Sequence, residues 1–370
     1  MVTIRMIREG KFGPAEAVIL LAASNVARVF LPYPGLLIEM AGPAAWMTPI
    51  GGFVLALIGI YVMSLVLKKN PDNTIIETTE DAFGPVLGIT FNLITTIFLM
   101  SVCFLFIREF SEALIISALP QTPISVIAIG FLAIGLLGAY LGVEAIARST
   151  RLNFIFIFGG ILFLLVALVP QFDFDNLFPI LGNGLGPVFG HGSISTAAVT
   201  ETILAAVLIH SIGGADKYMR INFFAALIAF TVLSVLLAVT VMTLGKELAS
   251  ETTLPFYRVS RVIFLGRFFQ RIEAIFIIIW SMVGALKIAL TLYGASVSLA
   301  RTLKLPDYRP LIWPLGAIIL IFSFLPSDLP STIRIDNNFL RVFAHLPNFL
   351  LPLLLLAAYW LKRRLHRAEN

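Results

Sequence analysis

The chain has 370 residues, 59% of them hydrophobic and 13% charged, with a formal net charge of +5 and a mean hydropathy of +0.96. Typical soluble domains carry about 25% charged residues, so this composition excludes an ordinary soluble domain, and the apolar spans leave no length for one beside them. The single Cys103 excludes an intrachain disulfide and argues against a thiolate metal site. The basic residues cluster beside apolar runs, so the positive charge does not point to nucleic acid.

Ten long apolar stretches lie between charges at Arg28, Lys68, Arg108, Arg151, Asp173, Lys217, Lys246, Glu273, Arg301, Asp328 and Lys362. About 20 apolar residues cross a hydrocarbon core as a helix, so helices are predicted over about 14–37, 43–67, 83–107, 123–143, 152–171, 196–215, 221–244, 273–299, 310–327 and 343–361. The chain is read as one polytopic membrane domain over 1–370, in contact with membrane lipid, with no metal and no cofactor. Arg5, Arg8 and Lys11 ahead of the first apolar run resemble a signal peptide, but the further spans favour an uncleaved first helix.

The connections carry their own signals. The polar segment 68–81 reads as solvated turns with a short helix. Residues 173–192 hold Gly182, Gly184, Gly186, Gly190 and Gly192, which suit a structured outer loop. A phosphate cradle is disfavoured there, because no strand precedes the glycines and no Lys-Ser or Lys-Thr follows. The stretch 246–272 mixes bulky apolar and basic residues, as a segment lying at the membrane interface would. Gly51, Gly52 and Gly59 suit close helix packing. Trp46, Trp313 and Trp360 fall near span ends, where an aromatic belt is expected.

With the first residues in the cytoplasm, sixteen Lys and Arg residues fall on the inner side and seven on the outer. That asymmetry places both termini inside. Five of the seven outer charges sit in 246–272, which strains the assignment.

Division near residue 190 gives five spans on each side, so the second half enters from the opposite face, the inverted five-plus-five arrangement. The repeats are expected over about 12–172 and 193–362. The leading helix of each half, PAEAVILLAASNVARVFLPYP and TETILAAVLIHSIGGADK, is interrupted by polar residues. Unwound backbone at that depth is tolerated where it lines a cavity, and the freed helix N-termini suit a carboxylate. A small zwitterion such as an amino acid is a natural ligand for such a pocket.

Several polar residues fall within the membrane. Lys287 lies 14 positions from both Glu273 and Arg301, about 21 Å from each, near mid-bilayer. A Lys at that depth costs about 2.5–3.5 kcal/mol on insertion scales and faces a cavity or a protein interior. It is expected either to respond to protons or supply a fixed positive charge, or else to form a structural ion pair. Arg28, just after Ser24 and Asn25, offers a guanidinium fork to a ligand carboxylate or to a structural Glu. His210, Ser211 and the Gly213–Gly214 pair mark the expected break in the sixth helix. Glu201 and Glu16 read as interfacial, with a proton relay as the lesser alternative, Glu109 and Glu112 as an outer helix end paired with Arg108, and Glu144 as an i, i+4 partner of Arg148. Trp280, seven residues before Lys287, either walls the cavity or packs in the core.

Three stretches, AGPAAWMTPIGG (41–52), DNLFPILGNGLGPVFGHG (175–192) and RIEAIFIIIWSMVGALKIALTLYG (271–294), together resemble the B subunits of spore germination receptors, the endospore germination permeases. These belong to the amino acid–polyamine–organocation transporter superfamily. The resemblance implies an all-α fold of the leucine-transporter type, ten helices with the first and sixth broken, in the spore inner membrane beside an integral-membrane A subunit and a lipoprotein C subunit. It also implies a ligand site at Ser24, Asn25, Val26, Ala27 and Arg28, at Met100 and Ser101, at Leu208, His210, Ser211, Ile212 and Gly213, and at Lys287, with Trp280 beside them. Superfamily members often have a Gly-rich first break, whereas SNVARVFLPYP has no Gly before Gly35.

The function expected is binding of a small germinant, an amino acid by preference, with a signal to the partner subunits. The alternative is an amino acid/proton symporter with Lys287 as its titrating group. An intramembrane enzyme is not expected: the chain has no paired Asp protease motif, no His-Glu-x-x-His and no convincing Ser–His pair on facing helices.

Overall fold

The computed structural model describes residues 10–264 and 272–368. The described residues form helices joined by turns and loops, with no strand among them. In chain order they form α1 (Pro14–Val26), α2 (Tyr33–Ala41), α3 (Thr48–Leu67), α4 (Ile75–Ser117), α5 (Ile124–Leu141), α6 (Val143–Leu168), α7 (Ser193–Ala197) and α8 (Glu201–Val207). Then follow α9 (Ala215–Glu251), α10 (Pro255–Ser260), α11 (Glu273–Thr302), α12 (Arg309–Ser323), α13 (Leu329–Ile335), α14 (Arg341–His345) and α15 (Leu351–Ala368). Among the described residues, seven helical stretches are long and apolar enough to cross a membrane, and Arg309–Ser323 is a shorter apolar helix.

The first predicted span is indeed broken. After α1 the chain tightens into a 3₁₀ turn over Ala27–Phe30, bends, and restarts as α2. Pro32 and Pro34 explain the site, since each lacks an amide donor and cannot extend the preceding ladder. The sixth predicted span differs from expectation at both ends. It begins as a wide π turn at Gly186–Gly192, runs through α7, unwinds at 198–200, and resumes as α8. The expected outer loop 173–192 therefore ends near Leu185, and its last glycines are helical. The break also ends 13 residues before the expected Gly213–Gly214 pair. Those glycines take positive φ angles of 99° and 94° instead, turning the chain out of the bundle into α9.

The remaining loop is clamped to the end of α2. Asn183 donates from its backbone to Ala41 O (3.1 Å) and from Nδ2 to Met40 O (3.0 Å). Gly182 has φ +51°, and a Cβ on it would stand 2.0 Å from Ala41 O, so only glycine fits. The polar segment 68–81 holds the expected short helix, fused to the third span across a kink at Gly84. Of the expected interfacial segment 246–272, residues 246–251 extend α9 past a kink at Gly245 and 255–260 form α10; residues 265–271 lie outside the described part.

Helix α11 is the spine. It packs along α4, α5 and α6, while α1 crosses α9, α6 and α11 and α3 packs on α7 and α9. This arrangement encloses the two breaks between α4, α11 and the start of the last span. That span, Leu329–Lys362, carries two π turns, at Asp336–Leu340 and Leu346–Leu350. Such wide turns recur at functional sites because they re-aim side chains within a helix.

Candidate functional site

The breaks face one central cavity of about 30 Å³. Its wall takes Ser24, Asn25 and Arg28 from the first break and Ala198, Val199, Thr200 and Glu201 from the second. Helix α4 contributes Phe98, Val102 and Phe106, α11 contributes Lys287, and the last span contributes Asp336, Leu340, Arg341 and Ala344. Phe98, Val102 and Phe106 follow i, i+4, i+8 spacing, one face of a helix.

Lys287 is not a solitary charge. It is 3% exposed and its Nζ donates to Glu201 Oε1 at 2.5 Å. Ser24 Oγ donates to the same oxygen at 2.7 Å. One carboxylate thus ties α11 to the start of α8 and to α1. The ammonium also lies 5.2 Å from the Phe106 ring centre. Glu201, read from sequence as interfacial, is 4% exposed: the chain unwinds just before it, which carries it to mid-bundle.

A second buried pair sits toward the end of the bundle where α4 finishes. Arg341 donates to Asp336 Oδ2 at 2.6 Å, and its guanidinium stacks 3.6 Å from the Tyr33 ring centre. Tyr33 donates to Thr196 Oγ1 at 3.1 Å, so α2, α7 and the last span close over the cavity there. Glu109 lies behind this pair, within electrostatic reach of Asp336 and Arg341, yet it makes no hydrogen bond or ion pair among the described residues. Its reading as an outer helix end is corrected: only Arg108 and Glu112 form the expected pair, at 2.8 Å.

Arg28 stands between the two pairs. It is buried, lies 5.7 Å and 5.6 Å from the Tyr33 and Phe230 ring centres, and donates to Ala198 O at a marginal 3.5 Å. It forms no ion pair among the described residues. The lining therefore holds three cations, Arg28, Lys287 and Arg341, against two carboxylates, each already engaged. The guanidinium fork left over is shaped for two parallel hydrogen bonds to a carboxylate. At the N-terminus of α8, Ile203 N is already taken by Asn348 Oδ1 at 3.1 Å.

The structure brings together Ser24, Asn25, Arg28 and Lys287 among the residues proposed from sequence. It does not bring the others to the cavity. Val26 and Ala27 are buried but point away, and Met100 and Ser101 lie off the α4 face that carries Phe98 and Val102. Leu208, His210, Ser211, Ile212 and Gly213 fall in the turns after α8, beyond the actual break. Trp280 is a core residue, its ring 5.5 Å from that of Phe110 and 5.9 Å from that of Phe276. Sequence reasoning missed Glu201, Asp336 and Arg341. Glu201 lies inside a predicted span and Arg341 two residues before one, so their signal was present; Asp336 falls in the connection between spans, and the π turn at Asp336–Leu340 brings it to Arg341.

The model of the spore germination protein family matches residues 11–331. Spore germination protein KB of Bacillus subtilis (strain 168) is 24% identical over 339 residues, 90% of this chain and 91% of that protein. The putative spore germination protein YfkT of the same strain is 28% identical over 324 residues, 87% and 88% of the two chains. Among solved structures, MHP1, a nucleobase-cation-symport-1 family transporter in a closed conformation with bromovinylhydantoin bound, aligns with TM-score 0.68 at 11% identity, over 92% of this chain and 75% of that one. MhsT in complex with L-phenylalanine aligns with TM-score 0.66 at 12% identity, over 95% and 99%. Two broken helices enclosing a central polar cavity are thus built on the leucine-transporter type of fold, and the chain belongs to the spore germination protein family.

Proposed function

We propose that this protein is the ligand-binding membrane subunit of a nutrient germinant receptor, and that it takes a small ligand bearing a carboxylate, an amino acid by preference. The observation that carries the reading is Arg28, a buried guanidinium beside both helix breaks with no carboxylate partner among the described residues. A ligand carboxylate on Arg28 would leave its amine near the backbone carbonyls of 198–200. Phe98, Val102 and Leu340 offer apolar surface to a short side chain.

A cavity of about 30 Å³ has room for only one or two water molecules. An amino acid is larger, so its binding must accompany a separation of the elements around the breaks. That coupling is what a receptor needs, because a ligand shifts an equilibrium only by its different affinity for two states. In this reading the shift of α1 and α8 passes to an integral-membrane A subunit and a lipoprotein C subunit in the spore inner membrane. The relatives named as spore germination proteins support it.

The alternative, an amino acid/proton symporter, draws support from the buried Lys287–Glu201 pair and from the transporters that share the fold. Melting of the purified chain against amino acids, sugars and nucleosides tests the first reading. A carboxylate-bearing ligand is expected to raise the melting temperature, and Arg28→Ala to weaken its binding by about 10- to 100-fold while sparing any uncharged analogue. Equal loss for charged and uncharged ligands would overturn the role of Arg28. Concentrative uptake into liposomes driven by a pH gradient would favour the symporter.

A further inference from the structure

A second cavity, about 420 Å³ in volume, opens where α1 begins and α9 makes its first turns. Its mouth carries Lys217 and Arg220, and its floor is apolar, with Val18, Ile221 and Phe224. Lys217, Arg220, Ile221 and Phe224 share one face of α9 through i, i+3, i+4 and i+7 spacing. Both cations are exposed, and neither forms an ion pair among the described residues. The Lys217 amine reaches back over the Gly213–Gly214 turn, 3.2 Å from where a Cβ on Gly213 would lie.

Among the described residues, acidic groups do not neutralise this mouth. Glu16, in the first turn of α1 between Ala15 and Val18, is held by Arg151 at 2.8 Å and by the Gly13 amide at 3.0 Å. Asp216 is not part of the wall. The apolar floor leads outward to Phe224, which is 42% exposed on the face of a helix long and apolar enough to cross a membrane, so the slot opens onto an apolar surface. Charge at the water boundary above an apolar groove matches one kind of molecule.

We propose that this slot binds an anionic phospholipid of the phosphatidylglycerol class, with the headgroup phosphate at Lys217 and Arg220 and an acyl chain along Val18, Ile221 and Phe224. Basic pockets between spans bind anionic headgroups in this way. A zwitterionic headgroup would bring an ammonium to a mouth with no available carboxylate among the described residues. The bound lipid would bridge the leading helix to the span that follows the second break, the two elements the central cavity depends on.

The test uses the purified full chain in detergent, its melting temperature followed against dioleoylphosphatidylglycerol, dioleoylphosphatidylcholine or inorganic phosphate. Phosphatidylglycerol is expected to stabilise at concentrations about tenfold lower than phosphatidylcholine, and phosphate alone to give no shift. Lys217→Gln with Arg220→Gln should erase the preference, and Val18→Phe should weaken phosphatidylglycerol binding with the charges intact. Equal response to the two lipids, or a preference that survives the double substitution, would overturn the proposal. A shift with phosphate alone would place a free anion in the mouth and overturn the lipid assignment. Should the double variant not fold, Val18→Phe decides: undiminished phosphatidylglycerol preference there rejects the slot.

Discussion

Lys287 and Glu201 show how a membrane-buried charge acquires its meaning from its partner. Alone, the ammonium would sit in the bundle at a cost of several kcal/mol; with Glu201 at 2.5 Å and Ser24 on the same oxygen, the desolvation is met by a short, shared hydrogen-bond geometry. Lys287→Met should then do more than silence a ligand response, since it strands a buried carboxylate. The expected loss of stability is about 3–5 kcal/mol, read as a large drop in melting temperature. The double variant Lys287→Met/Glu201→Gln should recover most of it, because neither charge is left unpaired. A double variant as unstable as the single one would show that the amine is held by other groups. The depth of Lys287 was legible from its distance to the flanking charges, and so was a buried counterion in principle. Which carboxylate it meets was not, since Glu201 becomes its neighbour only through the unwinding at 198–200.

The helical elements explain both what the chain announces and what it conceals. Apolar length located the spans, and the polar residues Ser24, Asn25 and Arg28 located the first break, which Pro32 and Pro34 explain. The second break has no comparable marker: Ala198, Val199 and Thr200 are ordinary helix residues, while the conspicuous Gly213–Gly214 pair only turns the chain toward α9. Packing decides the matter, because α7 is pressed against α3 where two small residues let the backbones approach. A Cβ on Gly51 would come 2.1 Å from Ser193 Oγ, and one on Gly52 would come 2.7 Å from Thr196 Cβ. Gly52→Ala is therefore expected to destabilise the protein by about 1–3 kcal/mol through overpacking and to weaken ligand binding, since Thr196 also receives the Tyr33 hydroxyl. Gly130→Ala on the exposed face of α5 has nothing within 4 Å and should cost nothing. Equal melting temperatures for the two variants would remove the α3–α7 contact from the account of the break.

Across the whole bundle the cavity is sealed from both ends. On one side Tyr33, Arg341 and Asp336 join α2 to the last span. On the other, Phe12 N donates to Ser211 O at 3.2 Å, Glu16 pairs with Arg151, and Arg301 donates to Glu77 Oε1 at 2.5 Å, joining the lower ends of α4 and α11. These closures were invisible in the sequence, because each pairs residues far apart in the chain, as Arg301 and Glu77 do. They make the structure a closed state, and a ligand that fits only an enlarged cavity must pull the equilibrium toward an opened one. Ala344 gives a reporter for that shift, since it lines the cavity and is 3% exposed. In a Cys103→Ala background, a cysteine introduced by Ala344→Cys should react slowly with a water-soluble thiol reagent in the resting protein. If a ligand opens the Tyr33–Arg341 end, the rate should rise at least about fivefold, the lower range of typical coupling between sites. If it opens the opposite end, the rise should appear only with reagent supplied from the side of Lys11 in oriented vesicles. A ligand that stabilises the protein yet leaves the rate unchanged from both sides would bind without moving these helices, and the receptor mechanism would lose its output step.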